Sequence, residues 1–333
     1  MRFLAACLLI FAGTRASAAD LVFQGKITRL GSRSLTVKLE DRTEIDALLP
    51  SRKPRIRFQM GDEVEIACKP VREKWEEETS RFQLLGVTRM RLIRGGSAPP
   101  AETFRTVLSD SPAIEHAREV NLEYAKHLPN FVADETVKRS FDRRGTGDWK
   151  FEDTIESEIS FSGWRAARRN VLRNGKAWRR PIQALPGFVW YGGFGTEIEP
   201  LFDRGCPTIL RDAGKEESAL VFGFESPADG CFGRFTVGYE RFNPARSGRV
   251  FVSESDGHML RYEEDATGFP EHFEFEERKE SVRWDYVKIG DGTHLLPVHA
   301  EFLVTYRSGV RWRLVVDYTN HRHFESASRV DYQ

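Results

Sequence analysis

Apolar and polar residues alternate along most of this chain, and the period is two. In the first hundred residues the alternation runs through 21–27, 34–39, 43–48, 63–66 and 82–90. Asp41 and the pair Gly61-Asp62 stand at turns between these runs. Period-two segments bounded by turn residues read as short strands, and five or six of them in some 75 residues predict a small closed barrel, because closure removes exposed edges. From residue 131 the pattern returns and persists. Strands are predicted at 131–139, 153–161, 165–172, 219–225, 234–240, 249–253, 259–263, 273–278, 282–289, 296–306 and 310–318. Asn174-Gly175, Ser255-Asp256-Gly257, Asp291-Gly292 and Ser308-Gly309 fall at hairpin turns.

One stretch changes period. Ile114, Ala117, Leu122, Ala125 and Leu128 share a helical face, Ser111 is placed to cap it, Pro112 suits its first turn and Pro129 ends it. A helix at 111–128 followed by about eleven antiparallel strands predicts a large curved sheet with one face to cover. The expected fold is mainly β: a small N-terminal barrel at 20–95, a Gly/Ser/Pro-rich linker at 96–110, and a helix plus an open half-barrel sheet at 111–328.

The first 18 residues follow another rule. Arg2 precedes an apolar run at 3–13, and Ala16-Ser17-Ala18 ends it, the layout of a cleavable export signal. Leu4-Ala5-Ala6-Cys7 spells a lipidation box, but Cys7 stands ahead of most of the apolar run, so no lipid anchor is expected. Export places the mature chain in the periplasm or outside the cell, where disulfides form. Cys68, Cys206 and Cys231 would remain; Cys206 and Cys231 are the expected pair, and Cys68, in an alternating strand, is expected to be a buried thiol.

Composition narrows the function classes. Lys+Arg and Asp+Glu both number 50, so no net charge points to nucleic acid. No later apolar run spans a bilayer, so an integral membrane protein is not expected. Basic residues cluster at 164–180 (Arg165, Arg168, Arg169, Arg173, Lys176, Arg179, Arg180), a segment that also holds Trp164 and Trp178, and residues 263–280 are acid-rich. Cross-strand pairing of the two segments is the simplest expectation.

Catalytic signatures are sparse. His321 and His323 would need His299 or Asp317 to make a metal site, and a solvated strand end is the plainer reading. Asp153, Glu156, Glu158, Glu274 and Glu276 are expected to lie on outward strand faces. Gly192-Gly193-Phe194-Gly195-Thr196 lacks phosphate-loop chemistry; it predicts a tight bend, with Thr196 capping a short helix through Leu201-Phe202. No cofactor and no metal are called for.

Leu185-Pro186-Gly187-Phe188-Val189-Trp190-Tyr191 is apolar without strand alternation, as a lid over an apolar site would be. Phe188, Trp190, Tyr191 and Phe194 are the candidate ligand-binding residues.

Leu128-Pro129-Asn130-Phe131-Val132, residues 192–196, Leu201-Phe202, Leu296-Pro297-Val298-His299-Ala300-Glu301 and residues 317–324 resemble a group of secreted bacterial proteins of uncharacterised function. The resemblance covers about residues 110–326. Its outline, one helix before a strand meander, looks like the periplasmic lipoprotein-carrier fold. Gly25-Lys26-Ile27 and Gly61-Asp62-Glu63-Val64 resemble an OB-like accessory barrel. Together these imply a non-enzymatic binding protein with an apolar concave site for a lipid, acyl chain or lipoprotein; two other classes stay open, a secreted hydrolase acting on an envelope or glycan substrate and an interaction module that docks an envelope protein partner.

Overall fold

The structure is a computed structural model that describes residues 20–31, 33–50, 58–71, 85–96, 111–128, 130–162, 165–190 and 195–323. The expected export signal at 1–18 and linker residues 97–110 lie outside the described residues. The chain divides into two compact units.

The first unit is built from β1 (Leu21–Leu30), β2 (Ser34–Lys38), β3 (Glu44–Leu48), β4 (Glu63–Pro70) and β5 (Leu85–Arg94). Their order is β3-β2-β1-β4-β5. Parallel pairing of Ala47 with Leu85 and Leu48 with Gly86 joins β3 to β5 and bends the sheet into a partial ring. Alternation sends Ile27, Leu35, Val37, Ile45, Val64, Ile66 and Leu85 inward, all buried. Gly25 is needed where β1 meets β2, since a Cβ there would stand 2.3 Å from the Lys38 carbonyl oxygen. Cys68 is a buried free thiol, and burial pushes it up to about 12, so it behaves as a small apolar side chain.

The second unit opens with α1 (Pro112–Lys126). Ser111 Oγ accepts the Ile114 N–H at 3.4 Å, as an N-cap does. The strands follow: β6 (Phe131–Asp142), β7 (Lys150–Ser162), β8 (Arg165–Arg173) and β9 (Lys176–Ala177) precede the short helix α2 (Ile198–Phe202). After it come β10 (Ile209–Glu216), β11 (Ala219–Ser226), β12 (Phe235–Val237), β13 (Glu240–Phe242), β14 (Ala245–Ser253), β15 (Met259–Thr267), β16 (Phe275–Ile289), β17 (Gly292–Tyr306) and β18 (Arg311–His323). Eleven strands make one antiparallel sheet in the order β10-β11-β14-β15-β16-β17-β18-β6-β7-β8-β9. The chain is mainly β, with a large curved antiparallel sheet and a smaller sheet that forms a partial ring.

Several predicted elements change. The strand expected at 234–240 is a hairpin, because Gly238 adopts φ +59° and turns the chain between β12 and β13. The strands expected at 273–278 and 282–289 are one, β16, since Lys279, Glu280 and Ser281 stay in register with Asp265, Glu264 and Glu263. β10 was not expected; its charged sequence hides a strand that pairs with β11 along one edge. Pro297 interrupts the donors of β17 at a bulge opposite Arg283 and Trp284, where a missing N–H is tolerated.

One face of the large sheet is covered. α1 buries Ile114, Ala117, Arg118, Asn121 and Ala125 on it. Two of these are polar, and each closes a backbone account. Asn121 Nδ2 donates to the Ala117 and Gly257 carbonyls at 2.7 and 2.9 Å, and its Oδ1 accepts the Met259 N–H at 2.8 Å. Arg118 donates to the Phe202 carbonyl at 2.8 Å, at the end of α2 where the helix leaves its carbonyls open. Leu122, expected in the central stripe, is only partly buried. Among the described residues no helix is long and apolar enough to cross a membrane.

Candidate functional site

Residues 185–190 lie on the covered face beyond the two helices. The segment has neither helix nor strand after a single 3-10 turn at Ile182–Ala184. Leu185 and Trp190 are buried. The Trp190 ring stands 4.5 Å from Phe302 and 6.1 Å from Tyr318, measured between centroids. Phe188 meets Phe275 edge to face at 6.3 Å. Gly187 has φ +76°, and a Cβ there would lie 2.1 Å from the Trp312 indole, so only glycine lets the segment sit this low. Of the four expected ligand-binding residues, Phe188 and Trp190 therefore lie on an apolar bed; Tyr191 and Phe194 lie outside the described residues.

Polar groups fasten this cover. Arg139, buried on β6, is held by both oxygens of Asp153 at 2.6 Å and gives its remaining donor to the Pro186 and Phe188 carbonyls at 2.8 and 3.3 Å. Arg173 also donates to Asp153 at 2.6 Å. Burial alone would push the Asp153 carboxyl up, but Arg139 and Arg173 hold it below the ordinary carboxylate range. Two rows along the same face, Glu135 takes two bonds from Arg168 at 2.5 and 2.7 Å and one from the Ser157 hydroxyl at 2.7 Å. The Arg168 guanidinium then lies 5.8 Å from the Trp190 ring centroid.

A second buried cluster lies on the same covered face, on β14 to β16. Glu264 on β15 and Glu280 on β16 are directly opposed in register. Like charges so placed repel. Arg278 answers both, at 2.5 Å from Glu264 and 2.6 Å from Glu280, and Arg246 grips Glu264 at 2.9 and 3.0 Å. The Tyr262 hydroxyl donates to Glu264. The two guanidiniums rest on aromatic faces, Arg246 over Phe232 at 4.9 Å and Arg278 over Phe235 at 4.8 Å.

Glu197, at the start of α2, completes a set of three buried acids served by two arginines. Burial pushes Glu280 up to about 8; Arg278 pulls it down, while Glu264 and Glu197 push it further up. Burial also raises Glu197, against bonds from its own backbone and Thr196. Glu264 goes the other way, because Arg278 and Arg246 outweigh its burial. Burial and the neighbouring acids thus favour the protonated forms of Glu280 and Glu197, while Arg278 and Arg246 favour the carboxylate of Glu264.

These residues correct several expectations. Asp153 is buried and ion-paired, not solvated, because its register places it on the covered face opposite Arg139. Arg168 and Arg173 of β8 pair with Glu135 of β6 and with Glu152 and Asp153 of β7. Glu263, Glu264, Asp265, Glu277 and Glu280 pair instead with Arg246, Arg249, Arg261 and Arg278, or with Lys279. Thr196 does not cap α2; its hydroxyl donates to Glu197 Oε1 at 2.9 Å, and Glu197 holds the cap position. His321 is half-buried and shares a 3.1 Å hydrogen bond with the Pro297 carbonyl, and burial lowers its pKa. His299 pairs with Asp317 at 2.7 Å. Among the described residues no three His, Cys, Asp or Glu side chains stand together as metal ligands. Cys206 and Cys231 are joined by a disulfide, with Cα atoms 5.5 Å apart.

Glu135, Arg139, Glu197 and Arg246 were not singled out from the sequence, and Asp153 was read as outward, yet a signal existed. Tyr262, Glu264 and Ala266 share a strand face, as do Arg278, Glu280, Val282 and Trp284. A charge in phase with apolar residues on a strand points inward with them.

No protein-family model matches the chain, and no curated protein matches it. Among solved structures it is similar to a DUF1329 family protein from Desulfovibrio piger, with 12% identity over 66% of this chain and 96% of that one, at a TM-score of 0.32. It is also similar to a LolA superfamily protein from Nitrosomonas europaea, with 10% identity over 64% of this chain and 92% of that one, at a TM-score of 0.27. Likeness at this level carries no argument. The class rests on the chain's own geometry, an antiparallel sheet with one face covered by two helices and an irregular apolar segment.

Proposed function

We propose that this chain is an exported, non-enzymatic binding protein of the lipoprotein-carrier kind, whose ligand is a lipid or acyl chain held against the covered face of the large sheet. The observation that carries this reading is the cover at 185–190. It has no regular structure of its own, yet it buries Leu185 and Trp190 on a bed that includes Phe275, Phe302 and Tyr318. Displacing it would expose apolar surface at a cost of about 25 cal/mol per Å², which an acyl chain laid in the same place would offset. The hydrolase reading draws on the buried acids. Glu264, however, is occupied by Arg246, Arg278 and Tyr262 together, and Arg278 also holds Glu280. Such an arrangement neutralises carboxylates rather than presenting them to a substrate.

The test is titration of the full chain with a fluorescent fatty-acid probe. Saturable binding is expected, lost in Phe188→Asp and retained in Trp190→Phe, with circular dichroism unchanged. No saturable binding by the folded wild type overturns the reading. Export is tested separately: the N-terminus of secreted protein should be Ala19, and an intact Met1 on exported material refutes cleavage after Ala18.

A further inference from the structure

The opposite face of the large sheet carries a groove of about 720 Å³. Two adjacent rows of outward side chains form it. Arg249, Glu263, Ser281 and Glu301 face each other in register across β14 to β17, and Asp265, Lys279, Leu303 and Arg313 do so across β15 to β18. Ser281 is the shortest of the eight and lies between longer neighbours, which makes the depression. Trp149, from the turn before β7, and Arg311 complete the lining, with the Arg311 guanidinium 5.3 Å from the indole centroid.

The charges around the groove are mutually matched. Arg249 binds Glu263 at 2.6 Å, Arg313 binds Glu301 at 2.8 Å, Arg311 binds Asp142 at 2.6 Å, and Lys279 lies 3.6 Å from Asp265. A polyanion would find its cations already answered, and an apolar chain would have to bury ionic heads. A ligand whose groups both donate and accept fits better. A sugar hydroxyl can give its proton to a carboxylate while accepting from the neighbouring guanidinium. Trp149 and Leu303 supply apolar surface for the C–H face of a ring. The volume lies in the range of small-molecule sites.

We infer that this groove is a binding site for a neutral oligosaccharide. It is independent of the lipid site, being on the other face of the sheet, and stands or falls without it.

The experiment is calorimetric or NMR titration of the full chain with chitotriose, cellotriose and maltotriose, with a heparin-derived tetrasaccharide as the anionic comparison. Saturable binding of at least one neutral trisaccharide is expected. Trp149→Ala should weaken it about tenfold or more, and Ser281→Lys, which fills the floor at an outward position, should abolish it. Three results overturn the proposal: no saturable binding of any neutral trisaccharide by the folded wild type, preference for the anionic sugar, or binding unchanged in Ser281→Lys. The fatty-acid titration in both variants should match wild type, which separates this site from the covered face.

Discussion

The covered face of the large sheet holds two sets of buried ions, and they are solved differently. On β6 to β8 the acids Glu135 and Asp153 meet three arginines, Arg139, Arg168 and Arg173. Glu152 also takes Arg173 at 3.1 Å, so each acid there has its arginine, and one Arg139 donor remains for the carbonyls of the 185–190 cover. On β14 to β16, with Glu197, three acids meet two arginines, and burial together with the neighbouring acids shifts Glu280 and Glu197 toward their protonated forms. The difference teaches that a buried network is closed by stoichiometry. Where each acid has its arginine, a remaining guanidinium donor fastens a neighbouring segment; where acid is in surplus, burial favours protonation of a carboxyl.

Removing Arg139 should break the first arrangement most severely. Arg139→Ala leaves Asp153 with one cation and the cover without its polar anchor, and stability in urea should fall by about 3–5 kcal/mol. The double variant Arg139→Ala with Asp153→Ala should recover part of that loss, because no buried charge is then left unmatched. A loss within measurement error would mean the network contributes nothing and the cover is held by packing alone.

The second arrangement should show itself in pH. The folded pKa of Glu280, about 8, lies above its ordinary value, so the folded state holds the proton longer than the unfolded chain. Its contribution is present below the ordinary carboxylate range and is lost progressively as pH climbs from there through about 8. Glu280→Gln should flatten that part of the stability profile. Asp153 has the opposite sign: its folded pKa is depressed, so its contribution is present above the ordinary range and lost as pH falls through the folded value. Urea midpoints measured from acid to mildly alkaline pH should therefore slope in opposite senses for the two groups, and parallel profiles in Glu280→Gln and Asp153→Asn would erase the distinction.

The outward face supplies the smallest effect. Arg249 and Glu263 form a good pair at 2.6 Å, but both are solvent-accessible. Arg249→Ala should cost no more than about 1 kcal/mol, and added salt should shrink the difference. A larger, salt-independent loss would show that the outer rows act structurally like the buried ones, and would weaken their reading as a ligand groove.

Much of this architecture was legible along the chain. Ser111 and Pro112 announced α1, and paired turn residues such as Asn174-Gly175 marked hairpins, because caps and turns depend on a few neighbouring residues. The apolar run at 185–190 lacked alternation and is indeed irregular. The candidate site was less legible. Phe188 and Trp190 could be named from composition, but Arg139, Glu135 and Glu280 could not be ranked above the chain's many other charges.

By itself, then, the sequence determined the elements that local rules control: strands from period two, one long helix from its face and cap, and the order in which they follow. Tertiary structure alone decided which parity of each strand is buried. Glu263, Glu264 and Asp265 are three consecutive acids, yet the middle one is sealed among Arg246, Arg278 and Tyr262 while its neighbours line the outer groove. Side chains alternate across a strand, so a shift of one residue would exchange them. Which parity faces inward is set by pairing with strands distant in the chain and by the segments that cover one face, and those partners meet only when the sheet is assembled.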